Sequence, residues 1–424
     1  MKKLLLVATR LFWPTDSGRK VSLYHYCKGL HEKYGYDIYV YSFLEAGQTD
    51  ALIDDKPDFI KEVRLAKPIG GLKKLTNLFF RSLFGGWALQ NSLYYSGGNV
   101  CAIKKYAKEV APEVVIVDMV RLAPYFKAIK KLPAKKILDL DDLLSKRYLR
   151  QAAADENHAQ ILGTYGGYAS FSSKKILSGS KSKQFVLKTE SKRVRRAEIK
   201  YGKLYDGVIF VSEKETAEFN ALLGAEKAVT VRLGVDYDYY SGGESPEKEK
   251  GAIAFLGNMR FAPNVDSLHF IAAHILPALD FDYKLYVLGV CPDEIMASYK
   301  NNERIVFLGM VEDVRPVIKK CELFLSPIAY GTGVKTKILE AMAMGVPVVT
   351  NSVGAEGIDA QYGVHFLVEN SAAETAMIVN GLIGNKEKLA ELAENGQKLA
   401  KEKYRWEEIY GSFAALGFEE IKGE

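Results

Sequence analysis

Two blocks of short apolar runs alternating with longer helical patterns, separated by a polar break, constrain this chain more than any other feature. The first block contains KLLLVAT, DIYVYSF, PEVVIVD, KKILDLDD, DGVIFVS and AVTVRLGVD, with the helical pattern SLYHYCKGLHEKYG after the first run. Near-continuous apolar runs of this length suit strands covered on both faces. Strand–helix–strand alternation predicts a parallel, doubly wound sheet. Residues 240–251, YSGGESPEKEKG, carry Gly, Ser, Pro and charge without apolar period and read as a linker. Beyond it the rhythm restarts with AIAFLGN, YKLYVLG, RIVFLGM, CELFLSP, VPVVTN and HFLVE. The expected class is α/β, with one Rossmann-like domain over 1–239 and a second over 252–400.

The length of 424 residues suits two cores better than one. With 48% hydrophobic and 26% charged residues the composition is that of a folded globular protein. A net charge of +6 falls short of a dedicated nucleic-acid binder, and no nucleic-acid partner is expected. Cys27, Cys101, Cys291 and Cys321 lie far apart without a C-x-x-C pair, which argues against a zinc site or a disulfide framework. Met1-Lys2-Lys3 precedes an apolar run that Thr9 and Arg10 cut short, so it reads as a buried strand and not as a signal peptide. No run reaches the roughly 18 apolar residues that span a bilayer. The expected location is cytoplasmic, with peripheral contact at the inner face of the membrane.

Two segments break the rhythm. Residues 71–96 include LTNLFFRSLFGGWALQNSLYY, in which Phe79, Phe80, Leu83, Phe84 and Trp87 have helical spacing and Lys73, Lys74 and Arg81 lie nearby. The pattern fits a buried core helix or a surface for anionic lipid. Lys and Arg dominate between Lys174 and Lys203, as a solvated helical face or as a second attraction to lipid headgroups.

The chemistry concentrates in LFLSPIAYGTGVKTKILEAMAMGVPVVTNSVGAEGI, Leu323 to Ile358. A strand ends at Ser326-Pro327, a loop with Gly331 and Gly333 follows, and a helix runs from about Val334 to Met344, where Gly345 stops it. In an open α/β sheet such a turn lies at the carboxyl edge, where ligands bind. Glycines admit a phosphate to the backbone, and a helix N-terminus favours anions. Lys335 and Lys337 add positive charge that opposes the helix dipole unless an anion is bound. Glu340 is placed to accept from vicinal hydroxyls such as those of ribose. The third glycine of a dinucleotide fingerprint is missing, and so is a P-loop pattern. Spacing alone leaves open a phosphate site or an ordinary turn with solvated lysines.

The stretch Gly331–Val349 reads G-x-G-x-K-x-K-x-x-E-A-M-A-x-G-x-P-V-V. It resembles the donor-site signature of GT-B glycosyltransferases, specifically glycosyltransferase family four in its branch of bacterial exopolysaccharide and lipopolysaccharide sugar transferases. VSEKE, LGVD, FLGNMRFAPNVDSLHFI, FLGMVEDVRPVIKKCELFLSP and YRWEEIY extend the resemblance along the chain. It implies the GT-B fold, two facing Rossmann-like domains with parallel sheets and a cleft between them. It also implies that residues 401–424 form a closing helix that returns to the first domain. Glu340 matches the second acid of the family's E-x7-E pattern and would hold the ribose. The first acid falls at Thr332, where the chain departs from the pattern. Backbone N–H groups at Gly333, Val334 and Lys335 would face sugar and phosphate. Gly257 and Asn258 open the second domain, and Arg260, Lys335 and Lys337 would share the diphosphate. Val311 and Asp313 fall in the region that resembles the base-recognition segment. In TRLFWPTDSGRKVS, Gly18 resembles the glycine loop of the first domain, with Arg19 and Lys20 reaching phosphate or acceptor.

ILDLDD, Ile137 to Asp142, ends a strand where the family often has a T-V-H-D-like pattern, which puts Asp141 at the histidine's place and Asp142 after it. Asp139 and Asp141 also fit a D-x-D metal motif, and Asp142 fits a helix cap. The implied reaction passes a glycosyl group from a nucleoside diphosphate sugar to a hydroxyl of a glycan or lipid-linked glycan. It retains configuration, uses no cofactor or metal, and relies on N–H groups, Arg and Lys to stabilise the leaving diphosphate. Asp141 or Asp142 would orient the acceptor hydroxyl or stabilise the positive sugar. A nucleotide-sugar epimerase on the same fold and a non-catalytic nucleotide-sugar-binding protein are the rivals.

Overall fold

The apolar runs pair in parallel with their neighbours and build two separate sheets in the computed structural model, which describes residues 2–15, 18–45, 47–153, 180–331 and 333–421. The chain divides into two compact units, Met1–Arg232 with Tyr410–Glu424, and Leu233–Ile409.

In the first unit the strands are β1 (Lys2–Ala8), β2 (Tyr36–Ser42), β3 (Ile60–Leu65), β4 (Val114–Asp118), β5 (Lys135–Asp141), β6 (Gly207–Phe210) and β7 (Ala228–Thr230). Their order is β3-β2-β1-β4-β5-β6-β7. Leu4 lies between Ile38 of β2 and Val114 of β4, so β1 is central and buried on both faces. Leu5, Val7, Val115, Val117 and Leu138 are fully buried in one cluster. β3 was not among the expected strands. In FIKEVRL the charged Lys61, Glu62 and Arg64 interrupt the apolar residues because it is an edge strand, with Arg64 outside bonded to Glu62 and Glu109. AVTVRLGVD is strand only at Ala228–Thr230, and the chain leaves this unit after Arg232. The segment from Tyr410 is built into the same unit. The Tyr34 hydroxyl donates to Tyr410 O at 2.8 Å, and Phe413 meets the rings of Tyr26 and Tyr34 edge-on. Gly29 has no side chain because a Cβ would lie 2.3 Å from the Tyr410 ring.

The second unit holds β8 (Glu249–Leu256), β9 (Lys284–Leu288), β10 (Ile305–Gly309), β11 (Cys321–Ser326), β12 (Val348–Thr350) and β13 (Leu367–Val368). Their order is β10-β9-β8-β11-β12-β13, around a core that includes Ile253, Phe255, Leu285, Leu323, Leu325 and Val349. Within the segment read as a linker, the helix Tyr237–Ser241 ends and β8 begins at Glu249. In both sheets the chain order reverses beside the first strand, between β1 and β4 and between β8 and β11. Ligands of open α/β sheets bind outside the carboxyl ends of strands at such a reversal.

The aromatic stretch is helical but is not a core helix. Gly71–Asn77 continues as a wider π-helix over Leu78–Phe84, and its buried residues are the polar ones, Asn77 and Ser82. Asn77 donates to Ser92 O and Tyr95 O at 3.0 and 2.7 Å, and the Ser82 hydroxyl donates to Ser92 Oγ at 2.7 Å. Arg81 lies over the rings of Trp87 and Tyr95. These tethers turn the apolar face outward. The long helix Ser180–Leu204 carries part of the basic run, while its earlier residues, 174–179, lie outside the described residues. Its two acids point inward. Glu190 accepts from Leu89 N at 2.7 Å, and Glu198 accepts from Ser145 N and Oγ, so each satisfies the start of a shorter helix. Burial pushes Glu198 up to about 7.

Candidate functional site

At the reversal in the second unit, parallel pairing of β8 with β11 sets two loops side by side. One is Gly257–Phe261, which leads into the helix Ala262–Phe270. The other is the glycine loop that leads into the helix Thr336–Ala343, two residues inside the expected start. Lys337 ties them together. Its Nζ donates to Leu256 O at 3.0 Å and to Asn264 Oδ1 at 2.9 Å, and Asn264 Nδ2 donates to Asn258 O at 2.9 Å. Gly257 is required here, since a Cβ would come within 2.9 Å of the Asn264 side chain.

Lys335 folds back over the loop and donates from Nζ to Gly333 O at 2.5 Å, where Gly333 has φ 72°. Val334 is buried against Gly357. Arg260 stays exposed, with its backbone N bonded to Asn258 Oδ1 at 3.0 Å. Thr332 lies outside the described residues. Glu340 follows one turn into the helix and accepts from Thr336. Enclosure by the protein pushes Glu340 up to about 7 and Lys337 down to about 8. The site thus has two lysines at a helix start and a carboxylate one turn inward. A diphosphate and a ribose carry the complementary groups.

Gly257, Asn258, Gly333, Val334, Lys335, Lys337 and Glu340 therefore share one sheet edge. Val311 and Asp313 follow β10, two strands away from β8. Asp313 is held by Arg315, whose Nε lies 2.9 and 3.0 Å from its two oxygens and whose Nη2 lies 2.8 Å from Oδ2. The Arg315 guanidinium lies 3.9 Å from the centre of the Tyr239 ring, and Nη1 donates to Tyr239 O at 2.8 Å. The neighbouring Tyr240 hydroxyl is driven well above its usual range by burial and by the Glu340 charge. The helix Tyr237–Ser241 thus connects the Asp313 side of the site to Glu340. Sequence reasoning missed Asn264, Tyr239, Tyr240 and Arg315. For the two tyrosines the signal was the run DYDYY, at the point read as the end of the first domain, and Asn264 and Arg315 lie in the stretches FLGNMRFAPNVDSLHFI and FLGMVEDVRPVIKKCELFLSP.

The first unit's reversal holds a different chemistry. Arg19 follows Gly18, whose position is open enough for a side chain. Its guanidinium, for which a phosphate or an acceptor was expected, is bonded within the unit. It is drawn inward by three carboxylates at the ends of β4 and β5. Nε and Nη2 donate to Asp118 Oδ1 at 3.0 and 2.6 Å, Nη2 lies 2.7 Å from Asp139 Oδ2, and Nη1 donates to Asp141 Oδ1 at 3.1 Å. Thr9 completes Asp118 through its N–H at 2.9 Å and its hydroxyl. These bonds hold the Asp118 pKa below its usual value against burial, which works the other way. Asp139, buried with fewer donors, is pushed up to about 6, and burial raises Asp141 as well. Asp141 has the left-handed φ of 65°, uncommon for a non-glycine residue, and its N–H donates to Asp139 Oδ1 at 3.1 Å. Asp142 is buried and bonded to Arg147. The place between Asp139 and Asp141 that a D-x-D reading gives to a metal is taken by a guanidinium. Asp118 was missed, although its strand PEVVIVD ends on it.

Residues 250–385 match the family model "Glycosyl transferases group 1". Among curated proteins, an uncharacterised protein in the cps region of Klebsiella pneumoniae is 22% identical over 219 residues, 49% of this chain. The match spans about half the length of that relative, 55%. Among solved structures, sucrose-phosphate synthase of Thermosynechococcus elongatus superposes with a TM-score of 0.68 at 14% identity, covering 98% of both chains. HepE of Anabaena, in complex with UDP and glucose, gives 0.66 at 16% identity, covering 98% of this chain and 99% of that one. At these identities the superpositions establish the fold. The chain accordingly has the two-unit GT-B fold, and residues 250–385 of its second unit match the glycosyl transferases group 1 model.

Proposed function

We propose that the chain moves a sugar from a nucleoside diphosphate sugar to a hydroxyl of a glycan or lipid-linked glycan in bacterial surface polysaccharide synthesis, with retention of configuration. The observation that carries this is the edge shared by β8 and β11, where Lys335, Lys337 and the glycine loop offer positive charge and Glu340 stands one turn inward. The diphosphate leaves with growing negative charge, and fixed N–H groups and ammonium groups stabilise it without reorganising. Arg260, exposed on the adjoining loop, adds to this field. We assign the acceptor hydroxyl to the first unit, with Asp141 oriented for it by Arg19 and Asp139. The surface-polysaccharide role draws support from the relative in a cps region. Retention and membership of family four rest on the motif at 331–349.

The reading is tested by screening nucleotide sugars by thermal shift, since a ligand that binds only the native state raises its melting temperature. The donor so found is then followed with and without a lipid extract. Turnover that needs the extract supports transfer. An isomerised donor formed without it would make the chain an epimerase.

Glu340→Ala should weaken donor binding by about 1.5–3 kcal/mol, the range for a hydrogen bond to a charged group. The pH dependence should be bell-shaped. Affinity falls below about 7 as Glu340 takes up a proton and above about 8 as Lys337 loses one. Glu340→Gln should remove the acid limb and Lys337→Met the alkaline limb in calorimetry. Unchanged affinity in Glu340→Ala, with the melting curve intact, would end the ribose assignment.

A further inference from the structure

We infer that the outward face of residues 71–84 is a docking surface for an anionic lipid bilayer, with its apolar side chains inserted among the acyl chains. This goes beyond glycosyl transfer and does not depend on it.

The helix is inside out for a water-facing element. Asn77, Ser82 and Arg81 hold it to the domain, while Leu72, Leu75, Phe79, Phe80, Leu83 and Phe84 are 51–79% exposed. An amphipathic helix packed for the core turns its apolar stripe inward. Here the polar tethers fix the opposite orientation. The Phe79 ring meets those of Phe80 and Phe84 at 5.1 and 5.0 Å, so these three rings form one continuous patch. Contiguous exposed apolar surface of this kind marks an interaction site.

Charge selects the partner. No Asp or Glu occurs between Glu62 and Glu109, whereas Lys67, Lys73, Lys74 and Arg81 flank or interrupt the patch. The helix Ser180–Leu204 repeats the pattern. Its acids, Glu190 and Glu198, are buried, and Lys188, Lys192, Arg195, Arg196, Lys200 and Lys203 are exposed. It belongs to the same unit and is bonded to the segment that follows the patch, through Glu190 to Leu89 N. An apolar face with basic residues and no acids suits a surface of acyl chains under anionic headgroups. Among the described residues no helix is long and apolar enough to cross a membrane, so the contact is interfacial.

The test is co-sedimentation of the full chain with vesicles of phosphatidylglycerol and of phosphatidylcholine. The protein should pellet with the first at low salt, weaken as salt rises, and stay in solution with the second. Phe80→Ser with Phe84→Ser should lower the partition coefficient by about tenfold or more, because two large apolar groups no longer insert. Lys73→Glu with Lys74→Glu should lower it at low salt and much less at high salt. Both pairs are at the surface, and an unchanged melting temperature checks the fold. Full binding by the Phe80→Ser/Phe84→Ser variant, or no binding to either vesicle, would overturn the inference. So would a dimer, seen by sedimentation without lipid, that the same two substitutions dissociate, since the patch would then be covered by a second copy.

Discussion

Replacing Arg19 by alanine should cost about 3–5 kcal/mol of stability at pH 8, the range for removing one partner of a buried ion pair. The guanidinium is the shared partner of Asp118, Asp139 and Asp141, so its loss leaves three enclosed carboxylates facing one another. The penalty should shrink in acid. Asp139 already sits near 6 in the folded chain, above its unfolded value of 3.8. A folded pKa raised in this way gives stability that is present below the unfolded value and is lost as pH rises through the folded one. Without Arg19 the folded pKa moves higher, and the window of loss moves with it. Urea titrations should therefore show a large deficit at pH 8 and a smaller one near pH 5, where the ion pair with Asp118 still counts. An equal deficit at both would mean that the guanidinium acts by packing alone.

The second large effect is expected at Gly289. It follows β9 with φ 106°, and a Cβ there would lie 2.3 Å from the carbonyl oxygen of Gly257. Gly289→Ala combines backbone strain with a clash against main chain that has no rotamer to change, and about 2–5 kcal/mol is expected from the two together. The displaced atom belongs to the loop that Lys337 and Asn264 hold. Donor affinity should fall along with the urea midpoint, although residue 289 itself need not touch the donor. A variant with normal stability and normal donor affinity would show that the Gly257 loop yields freely.

The glycine-loop edge of the second unit was legible because its signals are local. The strand end at Ser326, the glycines, the two lysines and Glu340 fall within fifteen residues, and the periodicity of neighbouring runs fixed the type of sheet. What stayed hidden depends on distant partners. β3 carries charged residues because it is an edge strand, and a short run so interrupted is a weak signal. Asp118 and Arg19 are ordinary residues in sequence, and only the pairing of β1, β4 and β5 makes them one cluster. Arg19 was therefore read for phosphate or acceptor, without its bonds to Asp118, Asp139 and Asp141. The aromatic stretch shows the same limit in another form. Periodicity reveals that a helix has an apolar face, but which way that face points is decided by Asn77, Ser82 and Arg81, through bonds to residues 87–95.

The return of the chain to the first unit at Tyr410 has a consequence for biosynthesis. The second unit, Leu233–Ile409, is one unbroken stretch and can close its core as soon as it leaves the ribosome. The first unit, though begun earlier, waits for Tyr410, Phe413 and Phe418, whose rings fill the space beside Gly29, Tyr34 and Tyr36. Order of emergence and order of completion are thus reversed. Through most of translation the early strands are held with part of their apolar surface uncovered, which is when a nascent chain is most exposed to aggregation and to chaperones.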